Sequence, residues 1–458
     1  MGFLDSLESI SKYLPEIKTP ATKPNLQKKL IWTAIALLLF FIMANISLWG
    51  LSSSAGERLG ALQTLLASDI GTLITAGIGP IVLASIILQL GVGSGLINLD
   101  LHSQRGRAQF QSVQKLLAIV LCFFEGAVYT FSGMLSPMPG MAAVIILQVA
   151  IGSLILLYLD EIVSKYGIGS GIGLFIAGGV SGQFFWQIFR PPIINPLRPE
   201  LAQGGIIAEF VASLGTGMNF LIFLPVIVAI IIFLVIVFAE GMHVNIPITM
   251  GAKGTGGRFP VKLLYVSNMP VILAAALFAN LHLWAGMTAS IPFLGQIMGA
   301  IQWATTSQYN LFREIILQVA SQGIAGIGVL SPQIIQAIVY VIVFIAICIV
   351  FGVFWVQMGG QGSEAVAKQL QGSGMYIPGF RRDERIIQKV LERYIPTITI
   401  LGSIFVALLA AFGDMSLGGL ASGTGILLTV GIIYRLYEEL AREQMIAMHP
   451  LLGKLFKG

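Results

Sequence analysis

The chain has 458 residues, 56% of them hydrophobic and 10% charged, with a mean hydropathy of +0.88. Soluble domains carry about 25% charged residues, so this composition excludes an ordinary water-soluble enzyme, and the apolar content excludes a disordered chain. The net charge of +5 is small, and its placement matters more than its size.

Residues 1–29 are too polar for the core of a cleaved signal peptide. Phe3, Leu4, Leu7 and Ile10 fall at helical spacing, which predicts a cytoplasmic amphipathic segment on the membrane surface. Crossing a hydrocarbon core about 30 Å thick takes roughly 20 apolar residues. Ten runs of that length follow, at 30–50, 71–92, 113–134, 141–159, 170–189, 220–239, 263–285, 332–357, 394–412 and 417–436. Backbone amides in lipid must be satisfied within their own segment, and the short alternating runs of a membrane barrel are absent. The predicted fold is all-α, a polytopic membrane protein of ten helices.

Between the first two runs, 58–70 is moderately apolar and too short to span. It reads either as an interfacial helix or as a re-entrant half-helix, which membranes tolerate only inside protein or a water-filled cavity. Five runs make an N-terminal half at 30–190. An external loop at 191–218 leads to a C-terminal half at 219–440, with basic, Gly-rich loops near 241–262 and 358–393 and a tail at 441–458. Five is odd, so the second half enters the membrane in the opposite sense. Inverted repeats of this kind place a pathway at their interface. Of the 26 Lys and Arg, all but Arg58, Arg190, Arg198 and Arg313 fall on one side, so both termini are predicted cytoplasmic.

Glycines cluster at Tyr166-Gly167-Ile168-Gly169-Ser170-Gly171-Ile172-Gly173 and at Gly418-Gly419 with Gly423-Thr424-Gly425. No strand precedes either cluster, as a phosphate cradle requires. They read as close helix packing or as unwound entries to helices lining a cavity. Cys122 and Cys348 lie in apolar runs without CxxC spacing, and His102, His243, His282 and His449 scatter near span ends. The serine elbow, HExxH, aspartate dyad and Walker lysine are absent, so neither enzyme activity nor a cofactor is expected. Away from the span ends, charge is confined to Glu125, with Asn45, Gln89 and Asn280 as polar company. Glu125 reads either as a fixed helix contact or as a latch between helices that separate. Ile78 with Val82, and Ile172 with Ile176, pair on single helix faces. A secondary transporter on a five-plus-five repeat would need a charged midplane site, and an intramembrane enzyme would need a nucleophile–base pair.

Several long stretches together resemble the SecY family in its archaeal form. They are Ile70-Gly71-Thr72-Leu73-Ile74 with Gly77-Ile78-Gly79-Pro80-Ile81-Val82, Tyr158-Leu159-Asp160-Glu161-Ile162-Val163-Ser164-Lys165-Tyr166-Gly167, Tyr265-Val266-Ser267-Asn268-Met269-Pro270-Val271-Ile272-Leu273, Arg393-Tyr394-Ile395-Pro396, and Gly423-Thr424-Gly425-Ile426-Leu427-Leu428-Thr429-Val430. The resemblance covers Lys28 to the C-terminus. It implies a protein-conducting channel in the cell membrane, built as two inverted five-helix halves around a central pore, through which unfolded polypeptide passes. It further implies a pore ring of Ile78, Val82, Ile172, Ile176, Ile272 and Leu428. An aliphatic ring seals by dewetting and yields to any passing side chain. The segment 58–70, with Leu62, Leu65, Leu66 and Ala67, corresponds to the family's plug. The resemblance also implies a lateral gate between the second and seventh spans, with Glu125, Asn280 and Ser85 as its polar residues. Leu83 stands where the family carries a hydroxyl. Lys253, Arg258, Arg381 and Arg382 correspond to ribosome-docking cations suited to phosphate, although Gly251 replaces a frequent basic residue and ordinary positive-inside bias explains much of the charge. The implied partners are SecE-like and beta-type small membrane subunits, the ribosome, nascent polypeptides with signal sequences, a targeting receptor and membrane lipids.

Overall fold

Apolar helices follow one another along the computed structural model, which describes residues 15–22, 24–51, 71–93, 97, 99, 103–192, 204–214, 220–250, 255–266, 268–288, 291–372, 375–376, 384–418 and 420–448. The N-terminal half contains α1 (Leu26–Ala44), α2 (Gly79–Gly93), α3 (Gln104–Phe131), α4 (Ala142–Tyr166) and α5 (Gly171–Phe189). A short α6 (Ile206–Ser213) leads to α7 (Leu224–Gly241), strands β1 (His243–Met250) and β2 (Thr255–Lys262), and α8 (Met269–Thr288). The chain continues through α9 (Pro292–Thr305), α10 (Leu311–Gln322), α11 (Ser331–Met358), α12 (Ser363–Gly372), β3 (Met375–Tyr376), α13 (Glu384–Ser416) and α14 (Gly423–Met448). Among the described residues, eight helices are long and apolar enough to cross a membrane. Two of the ten expected spans fall outside that group: α2, with 15 residues, is too short, and α14 carries charges along its later turns.

Three differences from the expected spans have physical causes. The second helix starts at Gly79 rather than at residue 71, because Gly71 and Gly77 adopt left-handed φ of +92° and +54°. Pro80 then suits the first turn, where its missing N–H costs nothing. Likewise the tenth helix begins at Gly423 rather than at residue 417, after Gly418 turns at φ +57°. The first helix ends at Ala44, and Ser47 and Leu51 form isolated β-bridges with Thr72 and Pro137.

The chain is mostly helical, yet the loop at 241–262 is a β-hairpin with His243 opposite Lys262, and β3 adds a third strand through Thr249–Tyr376 and Met250–Met375. The signal was present, since His243-Val244-Asn245-Ile246 alternates polar and apolar as a half-buried strand does. Pro247 in β1 and Gly256, Gly257 and Pro260 in β2 obscured it. This pairing joins the two basic loops into one unit. Val261, Val266, Val356, Leu370, Ile387 and Leu391 pack beneath it as a separate core.

The main core draws on α1, α2, α4, α5, α7, α8, α11, α13 and α14. Ion pairs gather on one face: Lys29–Glu443 ties α1 to α14, Lys115–Glu161 (2.9 Å) ties α3 to α4, and Lys262–Glu438 (2.7 Å) ties β2 to α14. Residues 15–18 are held across that face by their backbone. Lys115 Nζ donates to the Pro15 carbonyl at 2.9 Å, the Ile17 amide donates to Glu161 at 3.2 Å, and Tyr166 OH donates to the Lys18 carbonyl at 2.7 Å. The amphipathic pattern at Phe3–Ile10 and the segment 58–70 lie outside the described residues.

Candidate functional site

Four helix starts converge at the centre of the bundle. Ile78, Val82, Ile176 and Leu428 are buried in the main core, and Ile172 and Ile272 pack against it. All six side chains therefore share one apolar cluster contributed by α2 with the turn before it, α5, α8 and α14. A cavity of about 320 Å³ adjoins the cluster and is lined by Val82, Ser85, Ile172, Ile272, Arg435 and Glu439, among others. Its lining combines aliphatic side chains with Ser85, Arg435 and Glu439. No group of three or more His, Cys, Asp or Glu able to hold a metal occurs among the described residues.

The helix starts are matched between the halves. Gly79-Pro80-Ile81-Val82 opens α2 and Met269-Pro270-Val271-Ile272 opens α8, with Val82 and Ile272 each two positions after the proline. Ser170-Gly171-Ile172-Gly173 opens α5 and Ser422-Gly423-Thr424-Gly425 opens α14, and Ile176 and Leu428 each lie six positions beyond the serine. Both serines cap their helices. Gly173 N–H donates to Ser170 Oγ at 3.1 Å, and Gly425 N–H donates to Ser422 Oγ at 2.9 Å, satisfying one of the orphan amides of each first turn. The glycines are required by close approach: a Cβ on Gly171 would sit 2.5 Å from Asp160 Cα, and one on Gly423 would sit 2.3 Å from the Asp414 nitrogen. Aligning the halves on these short motifs would have exposed the repeat in the sequence. Hydropathy, which averages over whole spans, does not.

Asn268 was not singled out by the sequence reading. Its Nδ2 donates to the Leu427 carbonyl at 3.3 Å, fastening the start of α8 to α14 beside Leu428. Tyr265, just before α8, donates its hydroxyl to the Gln361 carbonyl at 2.7 Å, and burial pushes the phenol up to about 12.

The polar residues assigned to the gate are placed separately. Glu125 on α3 is buried with neither carboxyl oxygen hydrogen-bonded among the described residues, and it lies so close to α2 that a Cβ on Gly79 would sit 2.7 Å from Oε2. Asn280 on α8 is buried and donates to its own helix at Ala276, at 2.9 Å. Ser85 faces the cavity and accepts from Gln89 Nε2 at 2.9 Å. Leu83 packs instead as hydrocarbon with Ile81, Ala118, Leu121 and Leu157, so the missing hydroxyl is replaced by apolar contact with α3 and α4. Of the docking cations, Arg258 lies on β2 opposite Pro247, whereas Lys253, Arg381 and Arg382 lie outside the described residues. The same holds for Leu62, Leu65, Leu66 and Ala67.

Residues 72–437 match the SecY family, and residues 38–71 match the plug domain of Sec61p. The chain belongs to the SecY family. It is 43% identical to the protein translocase subunit SecY of Methanothermobacter thermautotrophicus across 98% of both chains, and 44% identical to that of Methanocaldococcus jannaschii across 99% of both. A solved structure described as that of a protein conducting channel superposes with a TM-score of 0.81 at 43% identity, covering 97% of this chain and 99% of that one. Sec61 in the canine ribosome-channel complex from the endoplasmic reticulum superposes at 0.78 with 42% identity, covering the same shares. This SecY-family chain is thus a multi-pass membrane protein with the fold of a ten-helix protein-conducting channel. The relatives lend no support to a secondary transporter.

Proposed function

We propose that Ile78, Val82, Ile172, Ile176, Ile272 and Leu428 form the constriction through which unfolded secretory polypeptide passes. The observation that carries this reading is their meeting in one apolar cluster beside a cavity. Aliphatic side chains make no directional bonds, so the same ring closes against water and gives way to any sequence. Segment 58–70 serves as the plug. Helices α2 and α8 part to release apolar segments into lipid, with Glu125, Asn280 and Ser85 at that gate. The channel acts without catalysing a reaction and without a cofactor, and translation supplies the driving force. Both termini face the cytoplasm, the side bearing nearly all the Lys and Arg. The partners are SecE-like and beta-type small membrane subunits, the ribosome, nascent polypeptides with signal sequences, a targeting receptor and membrane lipids. Lys253, Arg258, Arg381 and Arg382 dock the ribosome, as the Sec61 ribosome-channel complex suggests.

The test is the resting ion leak of reconstituted vesicles. Ile176→Asn combined with Ile272→Asn wets the constriction and raises the leak about tenfold or more. Wild-type leak in that variant would mean that these residues do not line the pore.

A further inference from the structure

Each pore helix that opens with the Ser-Gly-x-Gly motif is also held by an aspartate from the helix before it. On α4, Asp160 Oδ1 accepts the Ile172 N–H at 2.8 Å, and the Gly171 amide bonds the same carboxylate. On α13, Asp414 Oδ1 accepts the Thr424 N–H at 3.2 Å, with the Gly423 amide beside it. Ile172 and Thr424 occupy the same position of the repeated motif, so the two aspartates do the same work in opposite halves. A carboxylate at a helix N-terminus satisfies free amides and meets the positive end of the helix dipole. Here it also fixes that helix start against a neighbouring helix. The ring residue Ile172 is itself the donor in one half. In the other, Leu428 lies about one helical turn beyond Thr424.

The two staples differ in number of bonds. Asp414 is buried, and its Oδ2 accepts from Thr424 Oγ1 at 3.0 Å and from Tyr340 OH on α11 at 3.1 Å. Asp160 is only partly buried.

We propose that Asp160 and Asp414 are positioning residues of the constriction, matched carboxylates that fasten α5 to α4 and α14 to α13 and so hold Ile172, Ile176 and Leu428 in the ring. The α4–α5 and α13–α14 pairs then move as rigid units, and the pore widens between the pairs rather than within them. This rests on the reading of those residues as the constriction.

The experiment uses the full chain, purified with whatever small subunits accompany it and reconstituted into sealed vesicles. Asp160→Ala raises the resting ion leak at least threefold, whereas Asp160→Asn stays within twofold of wild type because its amide oxygen still accepts the Ile172 N–H. Asp414→Asn raises the leak at least threefold, since an amide nitrogen replaces one acceptor of a carboxylate that takes the Thr424 amide and two hydroxyls. Cys122 and Cys348 are fully buried and report the integrity of the fold. In an Ile176→Cys background, Asp160→Ala speeds labelling of that cysteine by a membrane-impermeant maleimide while both native cysteines stay unlabelled. Labelling of Cys122 and Cys348 in step would make the aspartate a general fold residue and overturn the proposal. So would unchanged leak in the aspartate variants when Ile176→Ser with Ile272→Ser leaks. A tight vesicle with that double serine variant would instead overturn the constriction reading, and this inference with it.

Discussion

Helices α2 and α8 take part in two regions of opposite character. At their starts, Val82 and Ile272 join an apolar cluster closed by packing alone. Buried polar groups also meet these helices: Glu125 of α3 presses against Gly79, the first residue of α2, and Asn280 lies on α8 with Oδ1 unbonded among the described residues. The difference separates two ways of staying shut. On the proposed reading the ring seals because water is excluded from an aliphatic neck, and its own side chains make no specific bond to break on opening. At the polar seam, separating α3 from α2 costs no hydrogen bond of the Glu125 carboxyl to the described residues either, yet this packing buries that group at an expense of about 1–3 kcal/mol. The seam is therefore well placed to gain from rearrangement.

Three substitutions sharpen this contrast. The largest effect is expected for Glu125→Leu. Exchanging a buried group without a partner among the described residues for hydrocarbon stabilises the observed packing of α3 on α2 by about 1–3 kcal/mol, seen as a raised Tm in detergent and slower release of signal segments into lipid. A Tm lowered by several degrees would mean that Glu125 contributes a favourable contact. Next comes Gly79→Ala. The new Cβ lies 2.7 Å from Glu125 Oε2, so the carboxyl must move, at about 1 kcal/mol. Combining it with Glu125→Ala removes the clash, and a double-mutant cycle measures a coupling of about 0.5 kcal/mol or more. Additive effects would place the carboxyl away from Gly79. The smallest effect is that of Ser85→Ala, which deletes one hydrogen bond from Gln89 at the cavity wall and costs about 0.5 kcal/mol, the low end for a neutral hydrogen bond. A larger loss would show that Ser85 supports more than its neighbour on the same helix.

Much of the architecture was legible because lipid imposes a simple demand. Each crossing needs a long apolar run, and hydropathy finds such runs. What it cannot see is where a helix starts inside a run. Gly77 and Gly418 turn at positive φ, and α2 and α14 begin after them, several residues later than apolar content suggested. The β-hairpin was missed for a related reason: Pro247, Pro260, Gly256 and Gly257 mask the alternation of β1 and β2. At the site, the i, i+4 pairs Ile78–Val82 and Ile172–Ile176 were visible as pairs, but only the resemblance to a family linked them to Ile272 and Leu428. The matched prolines and Ser-Gly-x-Gly motifs join these positions physically. They involve too few residues to register as a repeat until the helices are placed. Glu125 stood out as a lone intramembrane charge, whereas its closeness to Gly79 depends on how α2 and α3 cross.

The most direct measurement is photocrosslinking from Ile176, in reconstituted membranes, to a ribosome-stalled secretory nascent chain. The expected result is an adduct that forms only when the nascent chain carries a functional signal sequence, which places polypeptide at the aliphatic ring. No adduct at Ile176, with the nascent chain nonetheless translocated, would contradict the central claim that this ring is the polypeptide's path.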